Sequence, residues 1–259
     1  MTQDRTRNER AADVTVSAPD RPTPEFAKIP SALGLTAPYL HALWSAALSS
    51  DRAACHAVIH QALAEGYDRT VLADFYVPAV AHQLGEMWCE DQLGFADVTI
   101  GTARLQAILR ELGPEWTADL AASVDAPLIL LISPQNDQHT LGTVLVAGQL
   151  RRRGYSVRMA LDPSSHDLQR LMRQITFDAV FISASQSESL EKLRRMIDFT
   201  RKNLKSVPPF VLGGGILEIH DHVASLVGVE IATSNIDEAI EQCDLTLLQA
   251  PDATHVSKD

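Results

Sequence analysis

The chain has 259 residues, 46% hydrophobic and 21% charged, which suits one large or two small globular domains. Its formal net charge of −11 argues against sequence-independent binding to DNA or RNA, which runs on Lys and Arg, but leaves room for a protein that itself binds DNA. No run approaches the roughly 18 apolar residues of a membrane span. The opening MTQDRTRNERAADVT has no signal-peptide core, so the expected location is the cytoplasm, away from membranes. Cys55, Cys89 and Cys243 are scattered, with no disulfide or metal spacing.

Residues 1–33 carry Pro19, Pro22, Pro24 and Pro30, many charges and no apolar period, and read as a disordered leader. Residues 36–113 read as four helices. Thr36 is placed to cap TAPYLHALWSAALSS, and Asp51 to cap DRAACHAVIHQALAEG, which stops at Gly66. Asp68 is placed to cap a long third helix from Arg69 to about Glu90, with Val71, Leu72, Phe75, Val80, Leu84 and Trp88 at helical spacing. After Gly94, FADVTIGTARLQAILRELG makes the fourth, ending at Gly113. Short connections predict an antiparallel bundle. Residues 114–126 read as a linker and 251–259 as a disordered tail.

From residue 127 to 250 strands and helices alternate. Five strands are expected at Leu128–Ser133, from Ser156, from Asp178, from Pro209 and from Val229. Helices are expected near 141–153, 166–175, 188–202, 216–226 and 236–248. Five such repeats predict an α + α/β chain: a four-helix bundle followed by a five-stranded, doubly wound parallel sheet of Rossmann-like type. In such sheets ligands sit in the loops at the carboxyl ends of the strands.

Three of those loops stand out. After the first strand come Asp137 and His139, with Gly142 opening the next helix. The third strand ends in Ser183, Ala184 and Ser185, and the fourth in Gly213, Gly214 and Gly215. The G-x-G-x-x-G of a dinucleotide site is absent after the first strand, which weighs against NAD or FAD. An imidazole with a carboxylate nearby is a metal-ligand pattern, the carboxylate fixing the tautomer. A metal held by one protein nitrogen brings its other ligands with it, as a macrocycle does. Glycines at the loops let a bulky ligand approach backbone.

Asp137-Gln138-His139-Thr140-Leu141-Gly142 resembles the D-x-H-x-x-G signature of the cobalamin-binding, methionine synthase-like family. Ser183 falls at the Ser of that family's S-x-L, and Gly213-Gly214 at its G-G. The helical bundle before the α/β domain is similar to the family's cap-plus-Rossmann layout, across about residues 40–248. The resemblance implies base-off cobalamin, as hydroxocobalamin or adenosylcobalamin, with His139 as the lower cobalt ligand and Asp137 and Ser183 behind it. The implied cofactor contacts are Asp137, His139, Thr140, Gly142, Ser183, Ser185, Gly213, Gly214, Gly215 and Trp88, with Trp88 over the corrin. Methyl-carrying corrinoid proteins usually continue D-I-G-K-N after the His. Here the residues are Thr140 to Val144, and Ser185 replaces the Leu of S-x-L. Light-sensing cobalamin repressors read W-x9-E-H; here Val98 and Thr99 stand at the Glu and His, and Cys89 replaces a second cobalt-binding His. The adenosyl-specific upper face is therefore not carried over.

GEMWCEDQLGFADVTIGTARLQ, DQHTLG and the leader together are most similar to the AerR/PpaA antirepressors of photosystem genes. That likeness implies a light- or redox-responsive regulator that binds a PpsR/CrtJ-type repressor protein and not DNA. Arg151-Arg152-Arg153 reads as a solvated helix end suited to the dipole. His220 and His222 read as a solvated helix start. His56 and His60 share a helix face with no third ligand evident. No nucleophile–base pair stands out, so no enzyme is expected. The alternatives are a corrinoid methyl carrier and a haem-binding redox sensor.

Overall fold

The computed structural model describes residues 37–113, 125–134, 140–202, 204–219 and 222–247. The leader, most of the linker and the tail lie outside the described residues, as do Thr36, Asp137, His139 and His220.

The first half is helical: α1 (Ala37–Leu48), α2 (Ala54–Ala64), α3 (Arg69–Val71), α4 (Val77–Cys89) and α5 (Phe95–Leu112). Between α3 and α4 the helix widens into a π-helical turn, Leu72–Tyr76, so 69–89 is one run with a bulge. Asp68 caps its start, accepting from the Thr70 amide at 2.7 Å and from Val71 at 3.4 Å. That donation holds the Asp68 carboxyl below the usual carboxylate range. Asp51 does not cap α2. It accepts from the Ala53 amide at 2.8 Å in the turn before, and the helix begins at Ala54. The end of α1 is closed by Arg104 of α5, whose guanidinium donates to the carbonyls of Ala46, Ala47 and Ser49.

The second half is a five-stranded parallel sheet, β1 (Leu128–Ser133), β2 (Ser156–Leu161), β3 (Ala179–Ser183), β4 (Phe210–Gly213) and β5 (Ile231–Ala232), in the order β2-β1-β3-β4-β5. Helices α6 (Thr140–Arg152), α7 (Ser165–Gln174), α8 (Leu190–Arg201), α9 (Val223–Val227) and α10 (Ile236–Gln242) cover it. Alternate side chains of each strand enter separate cores. Leu130 and Ile132 pack with Leu168, Leu193 and Val227 of α7, α8 and α9. Ile129 and Leu131 pack with Ala147, Leu150 and Ala239 of α6 and α10. The fourth crossover departs from the sequence expectation. In place of one helix over 216–226 there is a 3-10 turn, Gly215–Glu218, and the short α9.

Helix α6 also carries the bundle. Leu141 is buried in the bundle core, with Val144 and Leu145 packed against it. Thr140 Oγ1 accepts from Gln106 Nε2 of α5 at 2.9 Å. The arginine run is not a solvated end. Arg151 is buried and donates to the Val157 carbonyl at 2.9 Å. Arg152 pairs with Asp74 of the π-helical turn, and Arg153 with Asp237 of α10 at 2.7 Å. The Arg152 and Asp74 side chains are 12% and 10% exposed. Burial pushes the Asp74 carboxyl up against the pull of Arg152, and pushes the Arg152 guanidinium down. Asp74→Ala removes the carboxylate paired with the Arg152 guanidinium and should cost about 3 kcal/mol, the low end for breaking a buried pair. Asp74→Leu combined with Arg152→Met should recover most of that loss in urea unfolding.

Candidate cobalamin site

Because every strand runs the same way, all carboxyl ends lie at one edge. The chain leaves β1 toward β2 and leaves β3 toward β4, in opposite directions, which opens a crevice at that edge between β1 and β3. Ser183 and Gly213 are register partners at the ends of β3 and β4. The first turn of α6 sits beside them: a Cβ on Gly142 would lie 3.4 Å from Ser183 Oγ.

Two cavities meet there. One, of about 520 Å³, runs down between the sheet, α6 and α10, past Leu145, Phe181, Val211, Gly213 and Asn235. Its lining is mostly apolar. The other, of about 480 Å³, lies between the sheet edge and α4. His82, Gly85, Trp88 and Cys89 form its ceiling, and Ser185, Gln186 and Gly215 part of its floor. Gly142, Ser183, Gly214, Gly215 and Glu218 border both. The site is therefore a slot under the bundle joined to a shaft along the sheet.

The expected residues distribute plainly. Gly142, Ser183, Gly214 and Gly215 border both spaces, Gly213 the shaft, Ser185 and Trp88 the slot. Trp88 is 41% exposed, so it is not a bundle-core residue. Thr140 borders neither space; its hydroxyl ties α6 to α5. Asp137 and His139 belong to the segment between β1 and α6 and lie outside the described residues. At the two ends of that segment, Ser133 Oγ and Thr143 Oγ1 are buried without a hydrogen-bond partner among the described residues. Buried hydroxyls usually have a partner, so these two call for one.

The glycines divide by role. Gly214 has φ +97°, and a Cβ there would lie 2.3 Å from the Ala184 carbonyl oxygen. It is required for backbone of the β3 loop to pass the β4 loop, a reason the sequence reading did not identify. Gly85 was missed altogether. It sits mid-helix in α4, where Gly costs about 1 kcal/mol relative to Ala. No atom lies within 4 Å of its ideal Cβ position, so the gap faces the slot and not a neighbour. The signal was visible as a lone Gly inside a strongly periodic helix.

Other groups separate from the site. His56 and His60 both meet Glu111 of α5, His60 Nε2 at 3.0 Å from its carboxylate, so a third group does reach them. They form a clamp between α2 and α5; no cluster of metal-binding geometry occurs among the described residues. Burial pushes the Cys55 thiol up and, with Glu230 and Asp244 adding to it, pushes the partly buried Cys243 thiol up to about 11, so neither favours the reactive thiolate. Cys89 is exposed at the slot.

The class is a Rossmann-like, corrinoid-binding α/β domain under a helical cap. The sequence model of the B12 binding domain matches residues 127–233. The chain is 34% identical over 174 residues to a 20.5 kDa protein of Rhodobacter capsulatus from the bchF-crtJ intergenic region, covering 67% of this chain and 91% of that protein. The monomethylamine corrinoid protein of Methanosarcina barkeri shares the fold, with a TM-score of 0.62 at 16% identity over 77% of this chain and 94% of that one. The chain belongs to the cobalamin-binding family that includes the Rhodobacter capsulatus protein. The residues present fit a corrinoid: a slot for a flat ring roofed by Trp88 and Gly85, and an adjoining, mostly apolar shaft for an appended tail. No helix among the described residues is long and apolar enough to cross a membrane.

Proposed function

We propose that this protein is a cytoplasmic, non-enzymatic, cobalamin-dependent regulator that relieves a PpsR/CrtJ-type repressor of photosynthesis genes by binding the repressor protein. The observation that carries the reading is the kinship with a protein encoded between bchF and crtJ, combined with a cofactor slot roofed by the bundle itself. Bound cobalamin supplies a visible-light chromophore and an exchangeable upper cobalt ligand. The protein's part is to hold and report. His139 would hold the cobalt through its imidazole, Asp137 would orient that imidazole, and Ser183 at the end of β3 would support them. Trp88, Gly85 and their neighbours on α4 feel the upper face. The Asp74–Arg152 pair and the Leu141 contact join α4 and its π-helical turn to α6. A change above the ring therefore shifts the bundle against the α/β domain.

The net charge of −11 supports a protein partner over DNA. Light-exposed, hydroxocobalamin-loaded protein should bind the repressor about tenfold more tightly than cofactor-free protein, a coupling of roughly 1.4 kcal/mol. The repressor's operator affinity should change on addition, while this protein alone should not shift operator DNA at physiological salt. Equal repressor binding by loaded and unloaded protein would reject the proposal. Efficient methyl transfer from methylcobalamin-loaded protein to an acceptor would make it a methyl carrier instead.

A further inference from the structure

We infer that Gln149 of α6 reads the far end of a bound cobalamin, donating a hydrogen bond to the ring nitrogen of the tail base, with Asp74 of the π-helical turn as the residue that positions it. This rests on the cobalamin reading above and deepens it by naming the tail the site prefers, one that ends in a nitrogen heterocycle.

Helix α6 runs from the carboxyl edge of the sheet back toward the amino edge. Gly142, Leu145, Val146 and Gln149 line the shaft at the i, i+3, i+4, i+7 spacing of one helical stripe. Gln149 therefore stands two turns, about 10 Å, below the rim at Gly142. Opposite it the sheet offers a row of register partners, Leu131, Phe181 and Val211, each two residues before the end of its strand. The walls at that depth are apolar. Most of the polar lining, such as Ser183, Glu218 and Thr233, belongs to the strand ends and the loops that follow them. Gln149 and Asp74 are the exceptions, one on α6 and the other on the bundle.

The Asp74 side chain is 10% exposed and pairs with Arg152. Burial pushes its carboxyl up, while Arg152 and a hydrogen bond from the Gln149 amide pull it down. A carboxylate held by a guanidinium can only accept, so it fixes which end of the Gln149 amide is nitrogen. That nitrogen has two N–H groups. One goes to Asp74, and the second is left for the shaft that Gln149 lines.

The tail of cobalamin ends in a benzimidazole. Off cobalt, one ring nitrogen of that base carries a bare lone pair, an acceptor cut off from water among apolar walls. Such a group is costly to bury unless a donor meets it, and Gln149 is that donor. A tail that ends in a phenol ring has no such nitrogen and gains nothing from Gln149. The bundle thereby holds the cofactor at a second point, since a filled shaft bears on the Asp74–Arg152 pair that joins the π-helical turn to α6.

The test is isothermal titration of the full-length wild type, Gln149→Leu, and the double variant Asp74→Leu with Arg152→Met, with melting curves for each. The probes are hydroxocobalamin, the tail-less aquacobinamide, and a cobamide whose tail ends in p-cresol. Gln149→Leu should weaken hydroxocobalamin about tenfold, the worth of roughly one hydrogen bond, and change the other probes by less than about twofold. The double variant, which leaves the amide free to face either way, should weaken hydroxocobalamin at least about threefold more than the p-cresol cobamide. Wild-type affinity for hydroxocobalamin in Gln149→Leu overturns this inference alone. An equal loss for hydroxocobalamin and the p-cresol cobamide makes Gln149 a packing residue and also overturns it. Equal effects on those two probes in the double variant overturn the positioning role of Asp74. No binding of hydroxocobalamin by the wild type overturns the cobalamin reading and this inference together.

Discussion

Replacing His139 by Ala is expected to weaken hydroxocobalamin binding at least about 100-fold, roughly 2.8 kcal/mol. The argument joins the motif to the cavities. Gly142, the last residue of D-x-H-x-x-G, sits where the slot and the shaft meet. A cobalamin whose lower position is taken by a protein imidazole releases its own base, and the freed tail can occupy the 520 Å³ shaft. Without the imidazole, the cofactor's own base would keep that position and the contacts in the shaft would be lost as well. The loss is therefore of one metal bond together with the tail contacts. Isothermal titration gives the affinity, and the absorption spectrum reports whether the base is on or off. Unchanged affinity with a base-off spectrum would remove His139 from the lower position.

Filling the roof should have a comparable effect by a different route. Gly85→Leu is expected to reduce cobalamin binding about 100-fold while the protein melts no lower than wild type. Leu is the better helix former by close to 1 kcal/mol at an interior position. Its side chain enters a space with no atom within 4 Å of its Cβ, so no packing is disturbed. What it removes is room in the 480 Å³ slot. Gly214→Ala provides the contrast: its Cβ meets the Ala184 carbonyl at 2.3 Å at a φ of +97°, so the fold should weaken along with binding. A Gly85→Leu protein that melts normally and binds normally would place the corrin elsewhere.

The strands were legible because parallel strands buried on both faces leave unbroken apolar runs, as in LILLIS and AVFIS. The Asp68 cap was legible from local chemistry alone. What failed needed distance. Nothing near Arg152 in the sequence announces Asp74, 78 residues earlier, so a structural pair read as a solvated helix end. Glu111, 55 residues from His56, was equally out of view. The fourth crossover misled because ILEIHDHVASLV has enough apolar spacing for one helix, yet His222 takes a positive φ of 55° and starts a separate one. At the site, glycines were legible as positions and not as reasons. Only coordinates separate Gly214, which makes way for Ala184, from Gly85, which makes way for nothing in the chain.

The π-helical turn at Leu72–Tyr76 bears on how this chain is compared with its kin. Such a turn holds one residue more than an α-helix of the same path, and one residue corresponds to about 100° of rotation. A relative that kept the residues of α4 but lost that extra position would run through 72–76 as ordinary α-helix and keep His82, Gly85 and Trp88 facing the slot. The widened turn thus absorbs a single codon gained or lost while the ligand-facing surface of α4 stays in place. Alignments across this family should admit a one-residue gap at 72–76, since an ungapped match there would pair ceiling residues with residues that face somewhere else.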